Sequence, residues 1–174
     1  MGSLKLLDVQ LLDFKLLDVQ LFDVLQLACL IVLAMALVPA GAHLFELPNK
    51  IALLPEQYMT VQNIYRGWAL FGIVIIAALV LTLAHAVAVR SNASAMLLSL
   101  IAALCVGLNL AVFFAFTYPM NVATANWTVT PADFEDARRQ WEYSHAANAA
   151  LMLAAFTALA LSVLTSRRMH RPDS

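Results

Sequence analysis

Hydrophobic positions in this chain fall into four long runs, with no strand-like alternation and no single apolar stripe. The runs cover residues 24–42, 67–89, 95–117 and 146–165. Each is close to the ~20 apolar residues that a helix needs to cross a bilayer core. The second, third and fourth contain no Asp, Glu, Lys or Arg. A charge at the bilayer centre costs about 2.5–3.5 kcal/mol on insertion scales, so charge-free runs of this length point to lipid as the solvent. The pattern predicts an all-α fold, a four-transmembrane-helix bundle. Two longer interhelical segments, 43–66 and 118–145, would form a cap on one side. Pro119 lacks an amide donor and restricts Tyr118, which predicts the end of the third span at this pair. Thr130, Pro131 and Asp133 read as the N-cap, first turn and early acid of a last helix running over 131–165.

Composition agrees with the pattern. Of 174 residues, 63% are hydrophobic and 12% charged; a soluble domain has about half and about 25%. The net charge of −1 leaves no basic face for phosphates, which excludes nucleic acid as a partner. Cys29 and Cys105 sit singly inside apolar runs, without a redox or zinc spacing.

The chain divides into a repeat extension (1–23), a membrane domain (24–165) and a basic tail (166–174). The extension reads LLDVQ, LLDFK, LLDVQ, LFDV from residue 6. Five residues advance a helix by about 140° net, so the aspartates spiral and define no polar face. Asp8, Asp13, Asp18 and Asp23 are wrong for a signal peptide, so the first run is expected to remain as a span. Four spans put both termini on one side. Lys5, Lys15, Arg90, Arg167, Arg168 and Arg171 share that side, against Lys50, Arg66, Arg138 and Arg139 on the other. The positive-inside rule then places the termini in the cytoplasm of a bacterial inner membrane, with the cap outside.

Candidate chemistry gathers at the cap. Trp68, Trp127 and Trp141 and Tyr58, Tyr65, Tyr118 and Tyr143 are all the tryptophans and tyrosines of the chain, and all lie on that side. An interfacial belt usually marks both faces of the bilayer; complete asymmetry also fits an aromatic-lined pocket. Helical spacing puts Arg138, Trp141, His145, Asn148 and Met152 on one stripe. His43, Glu46 and Lys50 share a face if the first helix passes Pro48. Tyr58, Gln62 and Tyr65 share another on a short helix from Pro55, and Tyr118 and Asn121 follow the third span at the same depth. His85 and Asn109, inside spans, read as interhelical hydrogen-bonding groups.

The motifs TYPMN (117–121), NWT (126–128) and RRQWEYSHAAN (138–148) give the segment from about residue 25 to 165 a resemblance to the anthrone-oxygenase-like family of small four-span membrane proteins. Much of that family is a domain of unknown function. Relatives often carry an Arg where Asn148 stands. The resemblance implies a four-helix membrane fold and, for some members, cofactor-free oxygenation of a polycyclic phenol.

Three functions compete. In the first, the cap accepts a flat hydrophobic aromatic molecule from the lipid, and binds or oxidises it without a cofactor. His145 is then the general base and Arg138 stabilises the resulting anion. Trp141, Asn148, Tyr118, Asn121, Trp127, His43 and Glu46 line the ligand site. In the second, the chain is a structural or transport-associated subunit and the polar stripe packs helices. In the third, His43, Glu46 and His145 hold a metal or haem.

Overall fold

A computed structural model describes the backbone from Gly2 to Arg168 and the side chains from Val19 to Arg167. The side chains of the repeat up to residue 18, and the tail beyond 168, lie outside the described residues.

The architecture is all-helical, with no strand among the described residues. Helices α1 (Gly2–Lys50), α3 (Phe71–Ala88), α4 (Ala93–Val112) and α6 (Phe134–Arg168) make the bundle. Four segments are long and apolar enough to cross a membrane: Val19–Lys50, Trp68–Ala88, Ala93–Ala123 and Phe134–Arg167. The chain is a membrane-spanning helical protein in contact with lipid. The bundle closes as a ring, with α6 against α1 and α4, and α3 against the same two helices.

Small side chains let these helices approach. The core combines Cys29, Leu33, Ala36 and Ala40 of α1 with Ala78 of α3, Ala102 and Val106 of α4, and Ala149, Met152, Ala155, Ala158 and Leu159 of α6. Large apolar side chains such as Ile31, Ile76, Val80, Leu104 and Leu153 are exposed instead. Small residues inside and large ones outside is the arrangement lipid favours, because apolar exposure carries no penalty there and close packing drives association.

One end of the bundle lies where α6 approaches Arg167. Its interior is polar and well satisfied. Gln26 Nε2 donates to Ser166 Oγ at 2.9 Å and approaches His85 Nε2 at 3.4 Å. His85 Nδ1 meets Ser99 Oγ at 2.8 Å, and Ser99 meets Ser162 at the same distance. Arg167 ties Gln26 and Asp23. His85 thus joins helices, as its position in the second run suggested. Asn109 does so too, donating to the Asn148 carbonyl at 3.3 Å. The five-residue repeat defines no polar or apolar face for a bundle to recognise. Deleting residues 2–20 should leave the yield and the activity of detergent-purified protein largely unchanged. A collapse of yield would give the repeat a structural role.

The opposite end carries α2 (Pro55–Gln62), α5 (Tyr118–Ala123) and the turns that join them. Here one open point closes and two sequence expectations need correction. First, the apolar run ends at residue 42 and spacing leaves passage through Pro48 open, whereas α1 continues through it. It runs to Lys50, and the Ile51 amide still donates to Leu47 at 3.0 Å. Bundle neighbours make internal prolines tolerable in membrane helices. Second, the third span does not end at Tyr118. Residues Phe113–Thr117 widen into a π-helix, with the Tyr118 amide donating to the Phe113 carbonyl, and helix resumes as α5. The wider turn accommodates the ring of Pro119 without breaking the rod. Third, α6 begins at Phe134, and the Asp133 carbonyl accepts the Asp136 and Ala137 amides, so Thr130 is not its cap. Phe134, buried against Tyr58 and Trp127, fixes the later start.

Candidate functional site

α6 is free of Gly and Pro, and its length exceeds the bilayer core by several turns. It therefore carries the stripe of Arg138, Trp141 and His145 into the cap end as one rigid rod. α1, by continuing through Pro48, brings His43, Glu46 and Lys50 opposite that stripe. The two helices meet ring to ring. The His43 and His145 centroids are 4.0 Å apart, and Trp141 stands 5.0 Å from His43 and 4.2 Å from His145. Tyr65 and Trp68 close on His43 at 4.5 and 5.5 Å.

A second aromatic layer lies further from the core: Tyr58, Trp127, Phe134 and Trp141, all buried. Trp127 meets Tyr58 at 5.1 Å and Trp141 at 5.6 Å, both edge to face. Its backbone is unusual. Ala125, Asn126 and Trp127 all have positive φ, 47°, 56° and 61°. Left-handed geometry costs an L-residue roughly 1–2 kcal/mol. Thr124 holds the turn: its Oγ1 accepts the Trp127 amide at 2.9 Å, and its carbonyl accepts the Thr128 and Val129 amides at 3.0 Å. The strain aims the Trp127 ring inward.

Between the layers sits a buried ion pair that the sequence alone did not single out. Glu142 is fully buried and Lys50 is 3% exposed. Lys50 Nζ lies 3.1 Å from Glu142 Oε1 and 3.7 Å from Glu46, and donates to Tyr65 Oη at 2.9 Å. It also sits over the Tyr65 and Trp141 rings, 4.3 and 4.5 Å from their centroids. Tyr58 Oη donates to the same Glu142 oxygen at 2.8 Å. Burial, and then the Glu142 charge, push the Tyr58 phenol far above its ordinary range, so it stays a donor. Spacing showed only that Lys50 is one turn beyond Glu46 and that Glu142 lies between Arg138 and His145; it did not pair the two.

Of the residues expected at the site, His43, Glu46, Trp127, Arg138, Trp141, His145, Asn121 and Asn148 do lie at this end. Asn121 Oδ1 accepts Trp141 Nε1 at 2.8 Å and so orients that ring. Tyr118 is not brought in. It is half exposed and packs on Phe113 and Phe114, because the continued helix turns it away. Arg138 lies at the distal edge. Its guanidinium donates to the Leu53 carbonyl at 2.6 Å, pairs with Glu135, and stacks on Tyr58 and Phe134. Lys50, not Arg138, is the cation among the rings nearest His43 and His145. Among the described residues no three His, Cys, Asp or Glu are placed to hold a metal ion. The His43–Glu46–His145 set therefore lacks the geometry of a metal centre.

Several buried polar atoms at this end have no protein partner: His43 Nδ1, Asn148 Oδ1, Glu142 Oε2, Trp127 Nε1 and Arg138 Nε. An unsatisfied buried group costs about 1–3 kcal/mol. The terminal end of the same bundle, by contrast, pairs His85, Ser99 and Ser162 throughout. Comparison with known proteins adds no constraint, since no family model, curated protein or solved structure matches the chain.

Proposed function

We propose that this membrane protein binds a flat, hydrophobic aromatic molecule drawn from the lipid at the cap end, on the outer face of a bacterial inner membrane. The observation that carries this reading is the set of unpartnered buried polar atoms inside an aromatic cluster. A ligand whose faces stack on Trp141 and Trp127 and whose polar edge lies beside His145 would reach two of those atoms, His43 Nδ1 and Asn148 Oδ1. The left-handed turn at 125–127 supports it, since strain of this kind persists where surroundings over-determine a site.

The resemblance to anthrone oxygenases extends the proposal to chemistry. His145 is the general base, and accepts a proton from an activated methylene beside a phenolic ring system. Lys50 balances the resulting enolate through the ring layer, a part that its position suits better than that of Arg138. The anion is electron-rich enough to reduce O₂ directly. The methylene carbon gains one oxygen as a carbonyl and loses two hydrogens, and the second oxygen leaves as water.

The chain offers a direct readout of binding. Its three tryptophans are Trp68, Trp127 and Trp141, and each belongs to the cluster or adjoins it. Titrating detergent-purified protein with an anthrone should quench most of the tryptophan emission saturably. Trp127→Phe should weaken the affinity while preserving the fold. Linear, unsaturable quenching equal to that of free tryptophan would exclude a site here.

A further inference from the structure

The Lys50 ammonium fills a box of rings. Its Nζ stands 4.3, 4.5 and 5.2 Å from the ring centroids of Tyr65, Trp141 and Tyr58. It lies 3.1 Å from Glu142 Oε1 and donates to Tyr65 Oη at 2.9 Å. Ring faces attract a cation through their quadrupole, and aromatic cages recognise ammonium ligands in this way. The box is thus a receptor for an ammonium, occupied by one that the chain itself supplies.

The charges around the box do not balance. Two carboxylates, Glu46 and Glu142, face one ammonium, and the Oε2 atom of each is buried without a hydrogen-bond partner. No other cation compensates them. Arg138 is held by Glu135 and the Leu53 carbonyl, and His43 and His145 form no ion pair with either carboxylate among the described residues. An uncompensated charge in a buried setting is costly, so the arrangement favours one more monocation.

Glu46 offers Lys50 a second position. Lys50 closes α1, and Glu46 lies one turn earlier, 3.7 Å from Nζ. The Glu46 side chain is 28% exposed, whereas that of Glu142 is fully buried. A flexible four-carbon stem reaches either carboxylate without moving the helix. Tyr65, which shares the ammonium with both acids, is itself half-buried. Leu44 and Phe45 are exposed beside Glu46, so this side of the box borders lipid.

We propose that the box admits the primary ammonium of a long-chain amine from the lipid, and that Lys50 swings to Glu46 as the ligand takes over Glu142 and Tyr65. Every charge is then paired, the ligand with Glu142 and Lys50 with Glu46. Glu142 and Tyr65 both accept N–H groups, which a primary ammonium has and a quaternary one lacks. A phosphoethanolamine headgroup does not fit, because its phosphate, two carbons from the ammonium, would meet the carboxylates with no free cation beside it. The site goes beyond the aromatic ligand proposed above and does not rest on it, since it requires neither a planar molecule nor oxygen.

Titrating the full chain in a neutral detergent with decylammonium, followed by tryptophan emission, tests the assignment. Decyltrimethylammonium has the same chain and charge and controls for charging of the micelle. Wild type should respond saturably to decylammonium alone. Glu46→Gln removes the second position of Lys50 and should weaken binding by about fivefold, the ratio that a partly exposed ion pair of ~1 kcal/mol supplies. In Lys50→Met the box is vacant, so decylammonium should bind more tightly than in wild type and raise the thermal unfolding midpoint, and the Glu46→Gln penalty should diminish. Dilauroyl phosphatidylethanolamine should not compete in any variant. No saturable response in wild type, an equal response to decyltrimethylammonium, competition by the phospholipid, or an undiminished Glu46→Gln penalty in Lys50→Met would overturn the proposal. Anthrone, being uncharged, reads the aromatic site separately.

Discussion

Glu142→Ala should be the most destabilising single change at the cap end, at about 3 kcal/mol, because it leaves the buried Lys50 ammonium with only the longer contact to the partly exposed Glu46, at 3.7 Å. It also removes the acceptor of the Tyr58 hydroxyl. Those two losses act on α1, α2 and α6 together, so the whole cap should loosen. The loss measures the stranding of a charge more than any net worth of the pair. Replacing both partners, Lys50→Met with Glu142→Leu, should therefore recover most of the stability. Glu142→Gln should fall between, since an amide still accepts from Tyr58 while the charge is gone. Thermal unfolding in detergent, followed by tryptophan emission, reads all three. Wild-type stability in Glu142→Ala would mean that the pair is hydrated and that the end is not the dry cluster described above.

His145→Ala should reduce oxygen uptake with an anthrone substrate by about 10²–10⁴-fold, the usual share of a general base. His145→Gln should be equally inactive yet keep the fold, as the amide fills similar space beside Trp141. Lys50 provides a contrast. Lys50→Met paired with Glu142→Leu keeps the ring layer but removes the cation, so it should lower kcat with little change in KM if Lys50 acts on the developing anion. Arg138→Gln should affect stability more than turnover, since Leu53 and Glu135 absorb its hydrogen bonds. Full turnover by His145→Ala, or no turnover by wild type, would remove the oxygenase part of the proposal and leave binding to be judged by itself.

The bundle was legible because lipid imposes a simple demand. Every backbone polar group in the core must be paired within the chain, so four charge-free apolar runs of span length can hardly be anything but helices. The stripe of Arg138, Trp141, His145 and Asn148 was legible for a related reason, since helical spacing is fixed and α6 contains no breaker. What sequence rules misjudged was Pro119, and Pro48 they left open. Both residues would tend to end helices in water, but in a bundle the lost hydrogen bond is local and a π-turn or a neighbour absorbs the ring. That single error displaced Tyr118 outward. The Lys50–Glu142 pair was illegible because pairing joins two helices 92 positions apart (142 − 50), and no local spacing encodes it. The left-handed turn at 125–127 was also hidden, as neither Ala125 nor Trp127 has any preference for positive φ.

The most direct measurement of the binding claim is the small-molecule content of protein extracted gently from its native membrane, identified by mass spectrometry. Wild type should carry a flat, hydroxylated aromatic compound at near one per chain. The same compound should be depleted in His145→Gln and Trp127→Phe, while co-purifying phospholipid stays unchanged in both. Wild type that retains phospholipid alone, or an aromatic compound retained equally by the two variants, would contradict a ligand site at the aromatic cluster.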